Sequence, residues 1–334
     1  MALLDIRDLD LSIARGSELL PVVQGVSLAV EENETLGIVG ESGCGKSLTA
    51  LAIMGLLEGS AVRIAGGSMH FQGRDLLALS PAERRRVMGD QMAMIFQEPM
   101  TSLNPVYRVG DQIKEAILQH RSMSRRQAHE RALELLELVR IPDPTRRIDS
   151  FPHQMSGGQR QRVMIAMALA CDPKILIADE PTTALDVTVQ RDVLELMLSL
   201  QRRNGMSIIL ISHDLGVIAE TCDNVAVMYR GRIVEQASTS ALLSNMSHPY
   251  TLGLLGSIPA PDHDVEWLDA IPGRVPTLDE AVPGCAFHPR CFAAQGACRT
   301  AEPGAAAVSP AHFVRCDFPQ GSSSSPVHCW KCAS

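Results

Sequence analysis

One short segment constrains the fold of this 334-residue chain more than any other. An apolar run, Leu36–Val39, leads into the octapeptide GESGCGKS at residues 40–47, and a helical pattern follows from Lys46 to Leu57. Glycines allow such a loop to wrap a phosphate, so that successive backbone N–H groups and the helix N-terminus face the anion. The pattern predicts a strand, a phosphate-binding loop (the P-loop, Gly40–Ser47) and a helix. A chance glycine-rich turn is the alternative.

Side chains suited to nucleotide hydrolysis occur in the P-loop and after a later apolar run. Lys46 would reach the β- and γ-phosphates, and Ser47 would hold Mg²⁺. The run Ile175–Ala178 leads into Asp179 and Glu180, and ligands of parallel sheets sit at the carboxyl ends of strands. Asp179 would contact Mg²⁺ through water, and Glu180 would be the base that polarises the attacking water. Taken alone, an acidic pair after a strand is more often a solvated turn or a helix cap.

The other apolar runs predict an α/β fold. Met92–Phe96, Lys174–Ala178 and Ser207–Ile211 are short, nearly continuous and separated by helical segments. Such runs are typical of a mostly parallel sheet that is covered by helices on both faces. From Val109 to Leu138 the apolar residues recur at spacings of three and four, which predicts a helical insertion in this core.

Composition excludes several classes of protein. Lys and Arg number 30 against 38 Asp and Glu, and this formal charge of −8 argues against a protein that coats nucleic acid. No run reaches the roughly 18 uncharged apolar residues of a membrane span, so we expect that the chain does not cross a bilayer by itself. Charged residues at positions 5, 7, 8 and 10 argue against a signal peptide.

The sequence MSGGQ at residues 155–159 opens a second predicted helix, Gln159–Ala170. Ser156 is a good N-cap residue, and Gly157 and Gly158 permit close approach of another group. A helix start of this kind offers hydroxyl and backbone donors to a phosphate, although an ordinary capped helix is the alternative. The segment resembles the signature motif of ATP-binding-cassette (ABC) ATPases.

Three further segments resemble the same family and occur in its order. Gln97 is similar to the glutamine of the Q-loop, Thr183–Asp186 to the D-loop, and His213 to the switch histidine. Together with the P-loop, the signature and the acidic pair they make six motifs. The resemblance implies a nucleotide-binding domain at residues 1–255, with a RecA-like core and a helical subdomain at about 99–160.

The resemblance also implies roles for individual residues. The implied catalytic residues are Glu180, His213 and Gln97, and the implied Mg²⁺ ligands are Ser47, Gln97 and Asp179. The implied nucleotide contacts are Gly40, Glu41, Ser42, Gly43, Cys44, Gly45, Lys46, Ser47, Leu48, Ser156, Gly157, Gly158, Gln159 and Asp186. In this family the signature meets the γ-phosphate on the P-loop of the opposite subunit. The chain would therefore need a second ABC ATPase subunit, either a copy of itself or a paralogue.

Two positions depart from the common family pattern. Cassettes commonly stack adenine on an aromatic residue before the P-loop, but no Phe, Tyr or Trp precedes Phe71 here, and Leu20–Val23 occupies that region. We expect the base to rest on aliphatic surface, at a loss of about 1 kcal/mol of stacking. Leu48 replaces a frequent hydroxyl residue, which leaves its backbone N–H for the α-phosphate.

Several later segments resemble the ATPase subunits of dipeptide/oligopeptide importers. They are Glu98–Pro105, the sequence HPYT at 248–251, the pair Leu254 and Leu255, and Ile258 with Pro259. Four cysteines follow in a segment at residues 256–319, which we expect to be a small C-terminal extension: Cys285, Cys291, Cys298 and Cys316. In that family these four are associated with a [4Fe–4S] cluster. Residues 320–334, with Cys329 and Cys332, are expected to form a flexible tail.

The four thiols of the extension admit three interpretations from the residues alone. Disulfides are disfavoured in a reducing cytosol. Structural zinc sites usually use paired C-x₂₋₄-C knuckles, which this spacing lacks, whereas a cluster accepts irregular spacing. Without the resemblance, zinc and iron–sulfur are equally favoured. The remaining cysteines of the core, Cys44, Cys171 and Cys222, are expected to be buried small residues.

The resemblance implies a motor that hydrolyses ATP to drive uptake of di- and oligopeptides. Its implied partners are two transmembrane permease subunits and, indirectly, an extracytoplasmic peptide-binding protein, with no nucleic acid. Its implied place is peripheral, on the cytoplasmic face of the inner or plasma membrane. The alternatives are the same motor serving nickel, glutathione or another small solute, and a soluble ABC ATPase that is not tied to transport.

Overall fold

The computed structural model describes residues 2–16, 18–97, 102–183, 185–257 and 270–321. The strands are β1 (Leu4–Arg15), β2 (Glu18–Val30), β3 (Thr35–Val39), β4 (Val62–Phe71), β5 (Arg74–Asp75), β6 (Met92–Ile95), β7 (Ile175–Asp179), β8 (Ser207–Ser212), β9 (Asn224–Tyr229), β10 (Arg232–Ser238), β11 (Ala306–Ser309) and β12 (His312–Val314). The α-helices are α1 (Lys46–Ile53), α2 (Pro81–Val87), α3 (Val109–His120), α4 (Arg125–Leu138), α5 (Pro144–Arg147), α6 (Gly157–Ala168), α7 (Val187–Asn204), α8 (Leu215–Thr221), α9 (Thr239–Ser244) and α10 (Pro249–Gly256). Short 3₁₀ helices span Pro152–Gln154, His288–Arg290 and Gly296–Arg299.

The chain forms two compact units. The first unit comprises residues 31–34 and 75–211, and the second comprises residues 2–30, 35–74 and those from 212 onward. In sequence, therefore, the P-loop belongs to the second unit and the acidic pair to the first. The predicted domain boundaries after residues 255 and 319 stay a prediction.

The first unit contains the predicted parallel strands and the helical insertion. β7 pairs in parallel with both β6 and β8, and all five of its residues are buried. These strands confirm three of the predicted apolar runs. The segment Val109–Leu138, predicted as a helical insertion, consists of two helices, because Ser124 begins α4 with a capping box in which its hydroxyl accepts from the Gln127 N–H. Ile113 and Leu135 are among the fully buried residues of α3 and α4.

The second unit contains a sheet that the sequence analysis did not predict. Its strand order is β2-β1-β4-β5, and β1 pairs antiparallel with both β2 and β4. Leu4, Ile6, Leu9 and Leu11 of β1 are buried, whereas Arg7 is exposed. Such half-buried strands carry an interrupted apolar pattern, so a search for continuous apolar runs overlooks them.

Other strands of the second unit follow the order β11-β12-β10-β9-β3. β3 and β9 are parallel, whereas β10, β11 and β12 pair antiparallel. Two of these strands, β11 and β12, come from the C-terminal extension. Glu235 of β10 is 1% exposed and accepts hydrogen bonds from the Ser247 N–H at 2.6 Å and the His248 N–H at 3.0 Å. Nε2 of His312 in β12 lies 2.8 Å from the same carboxylate, so this buried group ties the extension to the strand.

Candidate nucleotide-binding and hydrolysis site

The P-loop connects β3 to α1, as predicted, and glycine is required at two of its positions. A Cβ on Gly40 would lie 2.1 Å from the Met228 carbonyl oxygen. Gly45 has a φ of 106° and precedes Lys46, the first residue of α1. A residue with a side chain does not fit at position 40, and the backbone conformation at position 45 would strain such a residue. The helix ends at Ile53 rather than at the predicted Leu57.

Lys46 is the buried cation of the loop. Its side chain folds back so that Nζ donates to the Gly40 carbonyl at 2.7 Å and to the Glu41 carbonyl at 3.1 Å. Cys44 is buried beside it, and burial raises the pKa of the Cys44 thiol. The thiol is therefore a small neutral group that fills space beneath the loop. The prediction that Cys44, Cys171 and Cys222 are buried is confirmed.

A cavity of about 520 Å³ adjoins the P-loop at Ser42 and Gly43. Among the described residues, its walls are aliphatic and polar, and no aromatic side chain lines it. Leu20 and Val22 of β2 form part of one wall, so the region that lacks the family's aromatic residue does present aliphatic surface. The extension also contributes to this cavity, through residues 275–279.

In the first unit, Glu180 follows β7 directly and its carboxylate is held by two side chains. Nε2 of Gln97 donates to Oε2 of Glu180 at 3.0 Å, and the Thr183 hydroxyl donates to the same oxygen at 2.9 Å. The backbone N–H of Glu180 donates to the Ile211 carbonyl at 3.0 Å, and its φ is 45°. Asp179, one residue earlier, is 4% exposed. The structure thus joins the predicted Gln97 and Glu180, and it adds Thr183, which sequence analysis named only as part of the D-loop.

The signature and the end of the D-loop line one cavity of about 470 Å³ in the first unit. Ser156 caps α6 as predicted, accepting from the Gln159 N–H at 3.3 Å, although this helix spans Gly157–Ala168 rather than Gln159–Ala170. Asp186 caps α7. A Cβ on Gly158 would lie 2.8 Å from Cγ1 of Val189, so the glycine permits the two helix starts to approach. Ala184, within the D-loop, lies outside the described residues.

His213 follows β8 and is exposed. The next residue, Asp214, caps α8 by accepting from the Gly216 N–H at 2.8 Å. The cap fixes the backbone just after the histidine. His213 itself lies at the end of a strand, as predicted from the sequence.

The four cysteines of the extension are half-buried and free of disulfides. Burial, with a smaller contribution from the neighbouring Cys316, Cys285 and Cys298, raises the pKa of Cys291 to about 12. Burial raises the pKa of Cys316 to about 11 in the same way. The backbone N–H of Gln295 donates to the Cys298 sulfur at 3.5 Å. Over the ranges that the structure describes, no three potential ligands form a metal-ion site.

The sequence predicts Glu41 as a nucleotide contact but does not reveal the partner of its carboxylate. Arg290, in the sequence CAFHPRC at 285–291, forms a two-pronged ion pair with the Glu41 carboxylate. The only signal in the sequence is an arginine next to a cysteine of the extension, and nothing local relates it to the P-loop. Residues 98–101 and 258–259, and the pair Cys329 and Cys332, lie outside the described residues.

Comparisons with known proteins relate the chain to ABC transporters. The family model "ABC transporter" matches residues 23–183, and "Oligopeptide/dipeptide transporter, C-terminal region" matches residues 234–298. The chain is 52% identical over 315 residues to a probable peptide ABC transporter ATP-binding protein of Sinorhizobium fredii, with 94% of each chain covered. It is 45% identical over 327 residues to the dipeptide transport ATP-binding protein DppD of Escherichia coli, covering 98% of this chain and 100% of DppD.

A solved structure with the same fold is that of MJ0796, described as a dimeric bacterial ABC transporter cassette. The TM-score is 0.63 at 28% identity, covering 71% of this chain and 98% of MJ0796. A second MJ0796 structure, a dimeric post-hydrolysis state bound to ADP and Pi, matches with the same TM-score at 27% identity. Among the residues that the structure describes, no helix is both long and apolar enough to span a membrane.

Proposed function

Because the chain belongs to the family of ABC transporter ATP-binding subunits, we propose that it is the ATPase motor of an importer for di- and oligopeptides. One structural observation carries the ATPase assignment: the Glu180 carboxylate at the end of β7 is oriented by Gln97 and Thr183. The cargo assignment is supported by the match of residues 234–298 to the oligopeptide/dipeptide C-terminal region and by the names of the relatives.

The P-loop would hold the phosphates of ATP. Its backbone N–H groups and Lys46 would contact them, and Ser47, Gln97 and Asp179 would hold Mg²⁺, which would neutralise charge that develops on the phosphates. Leu48 would offer its backbone N–H to the α-phosphate. The remaining loop contacts would come from Gly40, Glu41, Ser42, Gly43, Cys44 and Gly45. The base would lie against the aliphatic cavity that adjoins Ser42 and Gly43.

Hydrolysis would depend on Glu180 as the base that polarises water. Because Gln97 and Thr183 donate to one carboxylate oxygen, the carboxylate is held in one orientation when a water molecule arrives. His213, at the end of β8, would orient Glu180 or its water. These roles rest on the family resemblance and on the contacts described above.

A second cassette would complete the site. The signature residues Ser156, Gly157, Gly158 and Gln159 line an open cavity together with Asp186. The N-terminus of α6 offers backbone donors to an anion there. A γ-phosphate held by the P-loop of a second subunit would suit that cavity, and the dimeric state of MJ0796 is consistent with such a pairing. The second subunit is a copy or a paralogue.

The other partners would be two permease subunits, with a peptide-binding protein outside the membrane and no nucleic acid. The helical insertion, α3 and α4, would contact the permeases, and the chain would then lie at the cytoplasmic face of the inner or plasma membrane. The domain boundaries that accompany this assignment are 1–255 for the nucleotide-binding domain, 256–319 for the extension and 320–334 for the tail.

The extension would hold a [4Fe–4S] cluster through Cys285, Cys291, Cys298 and Cys316. The four thiols are half-buried and free of disulfides, and the Gln295 N–H donates to the Cys298 sulfur at 3.5 Å, a contact that would stabilise a thiolate ligand. A cluster accepts the irregular spacing of these cysteines, whereas structural zinc sites usually use paired knuckles, and the family resemblance favours the cluster. Anaerobic purification with iron, sulfide and zinc analysis tests this; stoichiometric zinc without iron would contradict it.

Uptake of a labelled dipeptide tests the cargo. A strain that lacks this subunit should lose uptake, and the wild-type gene should restore it while Glu180→Gln should not. We expect this variant to bind ATP normally and to hydrolyse it about 10²–10⁴-fold more slowly. Normal peptide uptake in the deletion strain, with loss of nickel or glutathione uptake, would assign another solute. A subunit that does not sediment with membranes when permeases are co-expressed would favour the soluble ATPase.

A further inference from the structure

Arg290 connects the cysteine-bearing extension to the P-loop within the second unit. Nη1 of Arg290 donates to Oε2 of Glu41 at 2.7 Å, and Nη2 donates to Oε1 at 3.0 Å. The Arg290 side chain is 4% exposed and that of Glu41 is 31% exposed. A bidentate arginine–carboxylate pair is both stronger and more directional than a single ionic hydrogen bond. The second residue of the P-loop is thus fixed to a buried cation.

The guanidinium is itself held from several sides. Nε of Arg290 donates to the Pro272 carbonyl at 2.9 Å, and its central carbon lies 6.0 Å from the centre of the Tyr229 ring. Its backbone ends the 3₁₀ helix His288–Arg290, directly before Cys291. Because these contacts fix the planar group, Arg290 is a stationary anchor and Glu41 is the residue that is positioned.

A second contact restrains the backbone of the same loop residue. The Glu41 N–H donates to the Tyr250 hydroxyl at 2.8 Å. Tyr250 is fully buried, and its ring packs edge-on against those of Tyr229 and Phe287, with centroid distances of 4.7 and 5.3 Å. Phe287 lies between Cys285 and Cys291, so the segment that carries these cysteines supports both the side chain and the backbone of Glu41.

The ion pair also offsets an unfavourable negative charge in the P-loop. A phosphate-binding loop that carries a carboxylate opposes the binding of a triphosphate, since like charges repel over several ångströms. Arg290 balances that charge and aims the carboxylate toward the extension. The positive charge of Lys46, whose Nζ contacts the Gly40 and Glu41 carbonyls, then remains the uncompensated charge of the loop.

We propose that Arg290 is a positioning residue of the ATP site: by pairing with Glu41 it neutralises the carboxylate of the P-loop and aims it toward the extension, so that an intact extension sets the affinity for ATP. This inference rests on ATP binding at the P-loop and is independent of the cargo. Arg290 contributes to nucleotide affinity and not to the chemical step.

The first test compares wild type with Arg290→Gln as full-length chains. We expect the Kd and KM for ATP to rise about tenfold, which corresponds to about 1.4 kcal/mol. The kcat should stay within about twofold, because Gln97, Thr183 and Glu180 remain in place. Arg274→Gln is the matched control, since Arg274 lies in the same extension but forms an exposed ion pair with Glu280. It should leave the Kd for ATP unchanged.

A second variant separates charge compensation from loss of folding. In Glu41→Gln/Arg290→Gln no carboxylate is left uncompensated, so the Kd for ATP should return to within about threefold of wild type. A purely structural role predicts a double variant that is at least as impaired as Arg290→Gln. Unfolding temperatures of all variants are measured alongside.

Three results would overturn the inference: a wild-type Kd for ATP in Arg290→Gln, a double variant that recovers no affinity, or an equal fall of kcat and of ATP affinity in Arg290→Gln. Absence of ATP binding by the wild-type chain, by contrast, would refute the proposed ATPase function itself.

Discussion

The hydroxyl of Thr183 offers a sharp test of how Glu180 is oriented. Thr183→Val keeps the shape of the side chain and removes the 2.9 Å hydrogen bond to Oε2 of Glu180. A hydrogen bond to a charged group contributes about 1.5–3 kcal/mol, and the lower end applies because both residues are only half-buried. Since about 1.4 kcal/mol corresponds to tenfold in rate, the kcat for ATP should fall about tenfold.

The assay is steady-state ATP hydrolysis with an independent measurement of ATP affinity. The Kd for ATP should change by less than about twofold, because Thr183 is assigned to the carboxylate and not to the phosphates. Thr183→Ser retains the hydroxyl and is the matched control, with a kcat close to that of wild type.

A double-mutant cycle then decides whether the effect passes through Glu180. In a Glu180→Gln background, Thr183→Val should slow hydrolysis little further, because the charged acceptor has already gone. If Thr183→Val costs the same factor in both backgrounds, or has no effect on kcat in the wild-type background, the proposed orienting role is refuted.

Three other perturbations probe separate parts of the molecule. Leu20→Phe places a ring at the cavity beside the P-loop and should tighten ATP binding by about 0.5–1.5 kcal/mol, measured as Kd; an unchanged Kd would place the base elsewhere. Ser156→Ala removes the cap of α6 and should lower the free energy of unfolding by about 1 kcal/mol in thermal unfolding, whereas Ser156→Asn, which still caps, should not. Burial lowers the pKa of His248 to about 3, against about 6.5 in an unfolded chain. Between these pH values the unfolded state binds a proton that the folded state does not bind. The free energy of unfolding therefore falls on acidification, by up to about 1.4 kcal/mol per pH unit. His248→Asn should flatten that slope in denaturant unfolding between pH 6 and pH 4, and an unchanged slope would assign it to another group.

Local patterns predicted much of the fold. The P-loop strand and helix, the parallel strands β6–β8 and the cap at Ser156 are each specified by residues close in sequence, so spacing and side-chain type are sufficient. The antiparallel strands β1, β2 and β4 escaped prediction because half-buried strands lack a continuous apolar run. The break between α3 and α4 was missed as well, although the Ser124 and Gln127 capping box is a local signal that could have revealed it.

The sequence alone was sufficient to predict a nucleotide site, because a glycine-rich loop, a following lysine and an acidic strand end are each recognised within a short segment. Only the tertiary structure decided which side chains lie in contact and orient one another. Gln97 and Glu180 are 83 positions apart, and Glu41 and Arg290 are 249 apart. No local sequence pattern encodes such pairs, since each contact forms only when distant segments of the chain pack together. The P-loop could therefore be predicted from the sequence, whereas its ion-pair partner in the extension could not.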